Sequence, residues 1–276
     1  MRIYRRSPLV SFRVGAFLAR ALHLVIKFRR QKVVIKQING INYELDLRQV
    51  IDASLFYSSS FEPEVEDFFI QNVCVGTTVV DIGANTGYHT LHLANLVGEF
   101  GKVIAIEPTS WALSRLAKNL SLNSNLASRI EVLPCALGNP VEGIILSNNT
   151  YQSSYQLNGQ FTDVEEAVTI QTLDRALSGL NKDRISLIKI DTDGHEVAIL
   201  EGGKQTIARD RPMLIIEFTP KRIFELGHDL HGVLQWLTTL NYQTFDLNEL
   251  GLSRPIDYLR ELRNESTMLI FKIDNN

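Results

Sequence analysis

Residues 77–87, TTVVDIGANTG, constrain this chain more than any other stretch. Thr78, Val79 and Val80 form a short β-branched run that reads as a buried strand. An apolar helical pattern follows the glycines, at Tyr88, Leu91, Leu93, Leu96 and Val97. Strand, glycine-bearing turn and helix in that order make the first half of a nucleotide-binding α/β unit. Spacing then limits the nucleotide. A dinucleotide fingerprint, G-x-G-x-x-G, counted from Gly83 would need glycine at Asn85 and at Tyr88. A P-loop would need glycine where Tyr88 stands. What is present is D-x-G-x-x-x-G, with the acid Asp81 at the end of the strand. A carboxylate there repels a pyrophosphate and suits an amine-bearing ligand. The next strand, KVIAI at 102–106, ends in Glu107, and an acid in that place accepts two hydrogen bonds from a ribose diol. Together they describe an adenosine ligand with an amino-acid end and no phosphate, which is S-adenosylmethionine.

Strand and helix patterns alternate along the remainder. Residues 129–133, 185–190 and 212–218 read as the third to fifth strands, and 242–245 and 267–273 as the last two. Residues 64–73, 110–122 and 231–240 read as helices, with Ser110 as a cap. Such alternation predicts an α/β fold with a doubly wound, mainly parallel sheet, in which ligands bind at the carboxyl ends of the strands. That rule sets Asp81, Glu107, Ala136, Asp191 and Glu217 on one edge, with Ala136 where an adenine ring would lie. Residues 33–47 alternate as a hairpin around Asn39-Gly40, a type I′ turn signal. Residues 139–168 are polar and read as loops or hairpins, followed by a strand at 168–172 and a short helix at 173–177.

Charge is distributed unevenly. Residues 1–43 contain ten Lys or Arg and no acid; the whole chain is at −3, so the remainder carries −13. That balance argues against a nucleic-acid groove across the main domain. Apolar residues at Val10, Val14, Phe17, Ala21, Leu24, Val25 and Phe28 have helical spacing. Uncharged runs there reach only six residues, too short to span a bilayer and broken by Arg20 for a signal peptide. Two readings stand: a basic amphipathic helix docked on its own domain, or residues 1–31 lying on an anionic membrane surface. An organellar presequence is a third. Cys74 and Cys135 lack zinc spacing and fit a reducing compartment. The expected location is cytoplasmic, with peripheral contact at the inner membrane face on the second reading.

Several segments together resemble the FkbM-type methyltransferases. They are VVDIGANTGYHTLHLA (79–94), GKVIAIEP (101–108), ALG (136–138), TLDRAL (172–177), LIKIDTDGHEVAILEGG (187–203) and PMLIIEF (212–218), with GINYELDL and FEPE upstream. The resemblance covers about residues 38–220. It implies a Rossmann-like, seven-stranded sheet with the last strand antiparallel, and Asp81, Gly83, Asn85, Gly87 and Glu107 as cofactor residues. Asp193 stands where many members carry Glu. The expected organisation is a basic N-terminal helix at 1–36, a hairpin and lid region at 37–73, and the methyltransferase domain at 74–276.

Methyl transfer to an alcohol needs the acceptor oxygen aligned with the breaking bond and a group to take its proton. Asp191, His195 and Glu217 are the candidates, with His195 the preferred base. No metal is expected, although Asp191 and Asp193 beside His195 and Glu196 are candidate ligands; the loop is not an EF-hand, because Glu196 occupies the sixth position. For Asp193 and Glu196 the simpler reading is capping of the following helix. His89 and His92 read as packing or surface residues, and His228 and His231 as surface residues beside a helix start. The expected activity is methylation of a hydroxyl on a small molecule or glycan, preferably a sugar of a glycan or glycolipid. A nucleotide-binding oxidoreductase and a non-catalytic S-adenosylmethionine-binding module are the alternatives. Sequence leaves the oligomeric state open.

Overall fold

The structure, a computed structural model, describes residues 32–138, 168–180, 183–247, 253–254 and 266–273. The helix expected within 1–36 falls outside these as far as residue 31, as does most of the polar 139–168 segment. No helix among the described residues is long and apolar enough to cross a membrane.

The described residues divide between two compact units, 32–61 and those from Glu62 onward. In the first, β1 (Val33–Ile38) and β2 (Ile41–Asp46) form an antiparallel hairpin. Asn39 and Gly40 have φ of 50° and 83°. A type I′ turn needs both central residues in this left-handed region, which Asn and Gly tolerate best. Ile41, Tyr43 and Leu45 alternate inward along β2. Helix α1 (Val50–Ser58) follows, and its Asp52 accepts the backbone N–H of Asp46 at 2.7 Å. Lys36 donates to the carbonyls of Leu55 and Phe56 near the end of α1, at 3.1 and 2.7 Å. A cation there satisfies orphan carbonyls and offsets the negative end of the helix dipole.

The second unit runs α2 (Pro63–Asn72), β3 (Thr78–Ile82), α3 (Tyr88–Leu96), β4 (Lys102–Ile106), α4 (Ser110–Ser121), α5 (Ser124–Ala127), β5 (Ile130–Leu133), β6 (Ala136–Leu137) and β7 (Ile170–Gln171). It continues with α6 (Leu173–Leu177), β8 (Ile185–Ile190), α7 (Glu196–Gly202), α8 (Lys204–Asp210), β9 (Met213–Phe218), α9 (Pro220–Glu225), α10 (Leu230–Thr239), β10 (Tyr242–Asp246), β11 (Ser253–Arg254) and β12 (Thr267–Ile273). Strands β5, β4, β3, β8 and β9 are parallel neighbours in that order, and β12 enters antiparallel between β9 and β10. This is the sheet expected from the sequence. The two-residue β11 pairs with β10 and adds an eighth strand at the edge. The strand expected over 168–172 shortens to β7, which pairs with β6 outside the main sheet. The N-cap of α4 is Thr109, one residue before the expected Ser110.

Strand alternation sorts side chains by parity. Val80, Ile82, Ile104, Ile106, Ile188, Ile190, Leu214 and Ile216, all even, face one core with residues of α6, α7, α8 and α10. Burying each contributes about 1.5–3 kcal/mol. The odd residue Ala105 packs on the other face, against Leu116 of α4. With both faces covered the sheet is doubly wound, and its strands read as continuous apolar runs. The odd positions interrupt those runs with charge: Asp81 and Lys189 within strands, and Glu107, Asp191 and Glu217 at their ends.

Candidate active site

The turn after β3 is built from left-handed residues: Gly83, Asn85 and Gly87 have φ of 80°, 49° and 89°. At Gly83 a Cβ would collide with the backbone oxygen of Asp191. Only glycine lets the exits of β3 and β8 come this close. The Gly83 and Ala84 N–H groups both donate to the Ile106 carbonyl, at 3.0 and 3.1 Å. Asn119 holds the far side of the turn by donating to the Thr86 carbonyl at 2.8 Å.

Glu107 braces this turn. Its Oε2 accepts the Asn85 N–H at 2.9 Å, and its Oε1 accepts the N–H and hydroxyl of Thr109 at 2.9 and 2.6 Å. Burial raises its pKa above the ordinary carboxylate value, against the lowering effect of those hydrogen bonds. Asp81 is buried, and its Oδ2 accepts the Thr90 hydroxyl at 2.6 Å.

Asp81 stands beside Lys189 in the parallel register of β3 and β8. Lys189 is 1 % exposed, so its ammonium must be neutralised locally. Its Nζ donates to Asp191 Oδ2 at 2.9 Å and lies 3.7 Å from Asp81 Oδ1. Burial pushes the ammonium pKa down; Asp191, Asp81 and Glu62 outweigh that and hold it above its ordinary value. Continuing the pairing of Lys189 with Ile215 by two residues brings Asp191 beside Glu217. Burial opposes the charge on Asp191, but the Lys189 ammonium holds it below the usual range. Burial and the Asp191 charge push Glu217 well above that range. Of the two acids, Asp191 beside the ammonium is the one that favours the charge, and Glu217 the one that favours the proton.

Glu62, at the start of α2, faces the same charges: it raises both Lys189 and Glu217. Its Oε2 lies 2.8 Å from His89 Nε2, and one turn on Glu66 accepts the Tyr88 hydroxyl at 2.6 Å. These two contacts tie α2 to the first turn of α3. His89 is buried against the ring of Phe69.

The loop after β8 turns through Asp193 and Gly194, with φ of 52° and 112°, and His195 is the N-cap of α7. Glu196 reaches back so that its Oε1 accepts the Gly194 N–H at 2.8 Å. Fully buried, Glu196 is pushed up by burial to about 7. An acid raised on folding binds more protons in the native state, so stability falls as pH rises from the unfolded value of 4.5 toward 7. The loss is on the order of 3 kcal/mol. Burial raises Glu107 and Glu217 with the same sign. Glu196→Gln keeps an acceptor for Gly194 and removes the Glu196 share of this pH dependence. Its melting temperature should exceed that of the parent at pH 8 and fall below or equal it at pH 4.5, checked by thermal melts across pH.

Of the residues singled out in the sequence, Asp81, Gly83, Asn85, Gly87 and Glu107 meet around one turn, and Asp191 and Glu217 come side by side where β8 and β9 end. Ala136 lies in the short ladder with β7. His195 is half-buried at the helix cap. No group of three His, Cys, Asp or Glu side chains able to hold a metal occurs among the described residues. His228 is half-buried and His231 exposed, either side of the start of α10. Sequence reasoning passed over Lys189, Glu62 and His89. A lysine inside the apolar run ISLIKI was the available signal for the first, and parity with Asp191 gave its face. Glu62 and His89 are far apart in sequence and carried no joint pattern.

An S-adenosyl ligand fits what is present. Asp81 Oδ1 and Asn85 Oδ1 are buried acceptors without a hydrogen-bond donor. Leaving such an atom unmet costs on the order of 1–3 kcal/mol, and an ammonium or ribose hydroxyl supplies donors. Fold and site define an S-adenosylmethionine-dependent methyltransferase. A model of the methyltransferase FkbM domain matches residues 81–244, more than half of the chain, which therefore belongs to the FkbM methyltransferase family. A second model, of protein-L-isoaspartate (D-aspartate) O-methyltransferase, matches residues 23–133. No match is found among curated proteins. Among solved structures, an FkbM methyltransferase of Methylobacillus flagellatus is 22 % identical over 70 % of this chain, with a TM-score of 0.45; the chain spans 43 % of that protein's length. An S-adenosylmethionine-dependent O-methyltransferase of Thermotoga maritima is 15 % identical, covering 92 % of this chain and 82 % of its own, with a TM-score of 0.43. An rRNA methylase of Streptococcus thermophilus is 14 % identical, covering 76 % of this chain and 95 % of its own, with a TM-score of 0.42.

Proposed function

We propose that the chain methylates a hydroxyl oxygen, with a sugar hydroxyl of a glycan or glycolipid as acceptor. The observation that carries this is Asp191, hydrogen-bonded to the buried Lys189 ammonium at 2.9 Å and packed by its backbone against Gly83 of the turn after β3. Bound S-adenosylmethionine supplies an electrophilic methyl group. Asp81 receives the ligand's ammonium, Glu107 its ribose diol and the Ala136 segment its adenine, while Gly83, Asn85 and Gly87 shape the turn. Asp191 accepts a hydrogen bond from the acceptor hydroxyl and so aims an oxygen lone pair. A carboxylate held this low is a weak base. That is sufficient, because the hydroxyl proton becomes strongly acidic as the new C–O bond forms. Asp191 then takes the proton and, its side chain being 29 % exposed, can release it to water. His195 is the alternative base at the same loop.

The −13 balance beyond residue 43 supports an acceptor other than nucleic acid, and the +10 of residues 1–43 supports delivery to an anionic membrane surface on the cytoplasmic side. The test is transfer of labelled methyl from S-adenosylmethionine into cell-wall, lipid, soluble and RNA fractions, followed by mild alkali. Label in a glycan or glycolipid that survives alkali is expected, as a methyl ether. Label in RNA, or label released by alkali as from a carboxyl ester, would overturn the reading.

A further inference from the structure

We infer that Lys189 is a positioning residue that couples the cofactor-side acid Asp81 to the acceptor-side acid Asp191, keeping Asp191 ionised for the reaction. This rests on the reading of Asp191 as proton acceptor. The geometry is specific: a lysine 1 % exposed, whose Nζ is 2.9 Å from Asp191 Oδ2 and 3.7 Å from Asp81 Oδ1. Asp81 is its register partner across β3 and β8, and Asp191 is two residues along its own strand, so all three point to one face. Such an enclosed ammonium is costly unless its partners are ionised, so it ties the protonation of each acid to the other. The wider surroundings are acidic. Glu62 before α2, His89 on α3, Glu217 at the end of β9 and Asp193 in the exit loop all act on this cluster, along with Asp81 and Asp191. The Lys189 ammonium is the one cation that donates a hydrogen bond to Asp191 among the described contacts. Without it, the neighbouring acids would favour the neutral carboxyl at Asp191, and the acceptor hydroxyl would lose its hydrogen-bond acceptor.

The test compares Lys189→Met with the parent in three measurements. The first is the melting temperature of ligand-free protein from pH 4 to 8. Asp191 held low contributes stability above the unfolded pKa, lost only on acidification; with Lys189 removed the sign reverses, and the variant should lose stability as pH rises. The second is the pH profile of kcat, whose acid limb should move up by at least about one pH unit, with turnover at pH 7 reduced roughly 10-fold or more. The third is the double variant Lys189→Met with Asp191→Asn, which should turn over no more slowly than Asp191→Asn alone, because Lys189 acts through Asp191. An unchanged slope of stability with pH would overturn the ion-pair role whatever the activity. A normal reversal of that slope with an unmoved kcat profile would instead show that Asp191 is not the proton acceptor. If Lys189→Met does not fold, Lys189→Arg retains the charge and should keep the parental kcat profile; a shifted profile in that variant overturns the inference.

Discussion

Asp191→Asn should lower turnover by about 10²–10⁴-fold at neutral pH while leaving S-adenosylmethionine affinity within about threefold of the parent. Asparagine is the same size and retains an oxygen for the Lys189 ammonium, which is 2.9 Å away. What disappears is the charge proposed to receive the acceptor proton. The split between turnover and affinity follows from position: Asp191 lies at the end of β8, whereas the proposed cofactor residues lie on β3 and the turn after it, just after β4, and on β6. A second signature accompanies the first. The Asp191 charge, after burial, is the main cause of the raised Glu217 pKa. Removing it lets Glu217 ionise closer to the ordinary range, so residual activity should recover as pH rises, at a lower pH than any alkaline feature of the parent. Steady-state kinetics across pH and calorimetric titration of the cofactor check both parts. Near-parental turnover in Asp191→Asn, with a large loss in His195→Ala, would move the base to the histidine.

The division between what the sequence showed and what it hid follows from the range of the interactions. The turn at 83–87 and the acids at 81 and 107 were legible because their meaning is local: a strand, a glycine turn and a helix occupy adjacent residues. The type I′ hairpin was legible for the same reason, Asn39-Gly40 being the residues its two left-handed positions require. Strand order was legible only through alternation and resemblance, since no residue of β12 announces that it enters between β9 and β10. The shared face of Asp81, Lys189, Asp191 and Glu217 could have been read from parity once the registers were assumed. His195 drew attention because a histidine in a loop at a strand end suggests a base. It stands at the N-cap position of α7 with no side-chain capping bond, whereas His89, read as a packing or surface residue, is buried beside Glu62. Glu62 and His89 meet across 27 residues, and only the folded chain brings them together.

Glu107→Ala should weaken S-adenosylmethionine binding by about 10²–10⁴-fold, and two separable losses add to that figure. The first is the ribose contact itself, a charge-assisted hydrogen bond of about 1.5–3 kcal/mol. The second is internal. Glu107 accepts the N–H groups of Asn85 and Thr109, both of which lose their partner when the carboxylate is removed. Each buried donor left unmet costs about 1–3 kcal/mol, and the Asn85 donor belongs to the turn that must hold its left-handed geometry. The variant should therefore melt lower even without ligand. Glu107→Gln separates the two losses. Its amide offers one oxygen and one NH₂, so either Asn85 or Thr109 faces a donor instead of an acceptor, whichever way the group turns. The ribose would still find one acceptor. Glu107→Gln should thus share much of the loss in melting temperature with Glu107→Ala but bind the cofactor more tightly. Equal calorimetric affinity in Glu107→Ala and the parent would confine Glu107 to bracing the turn, and the ribose would have to be held elsewhere.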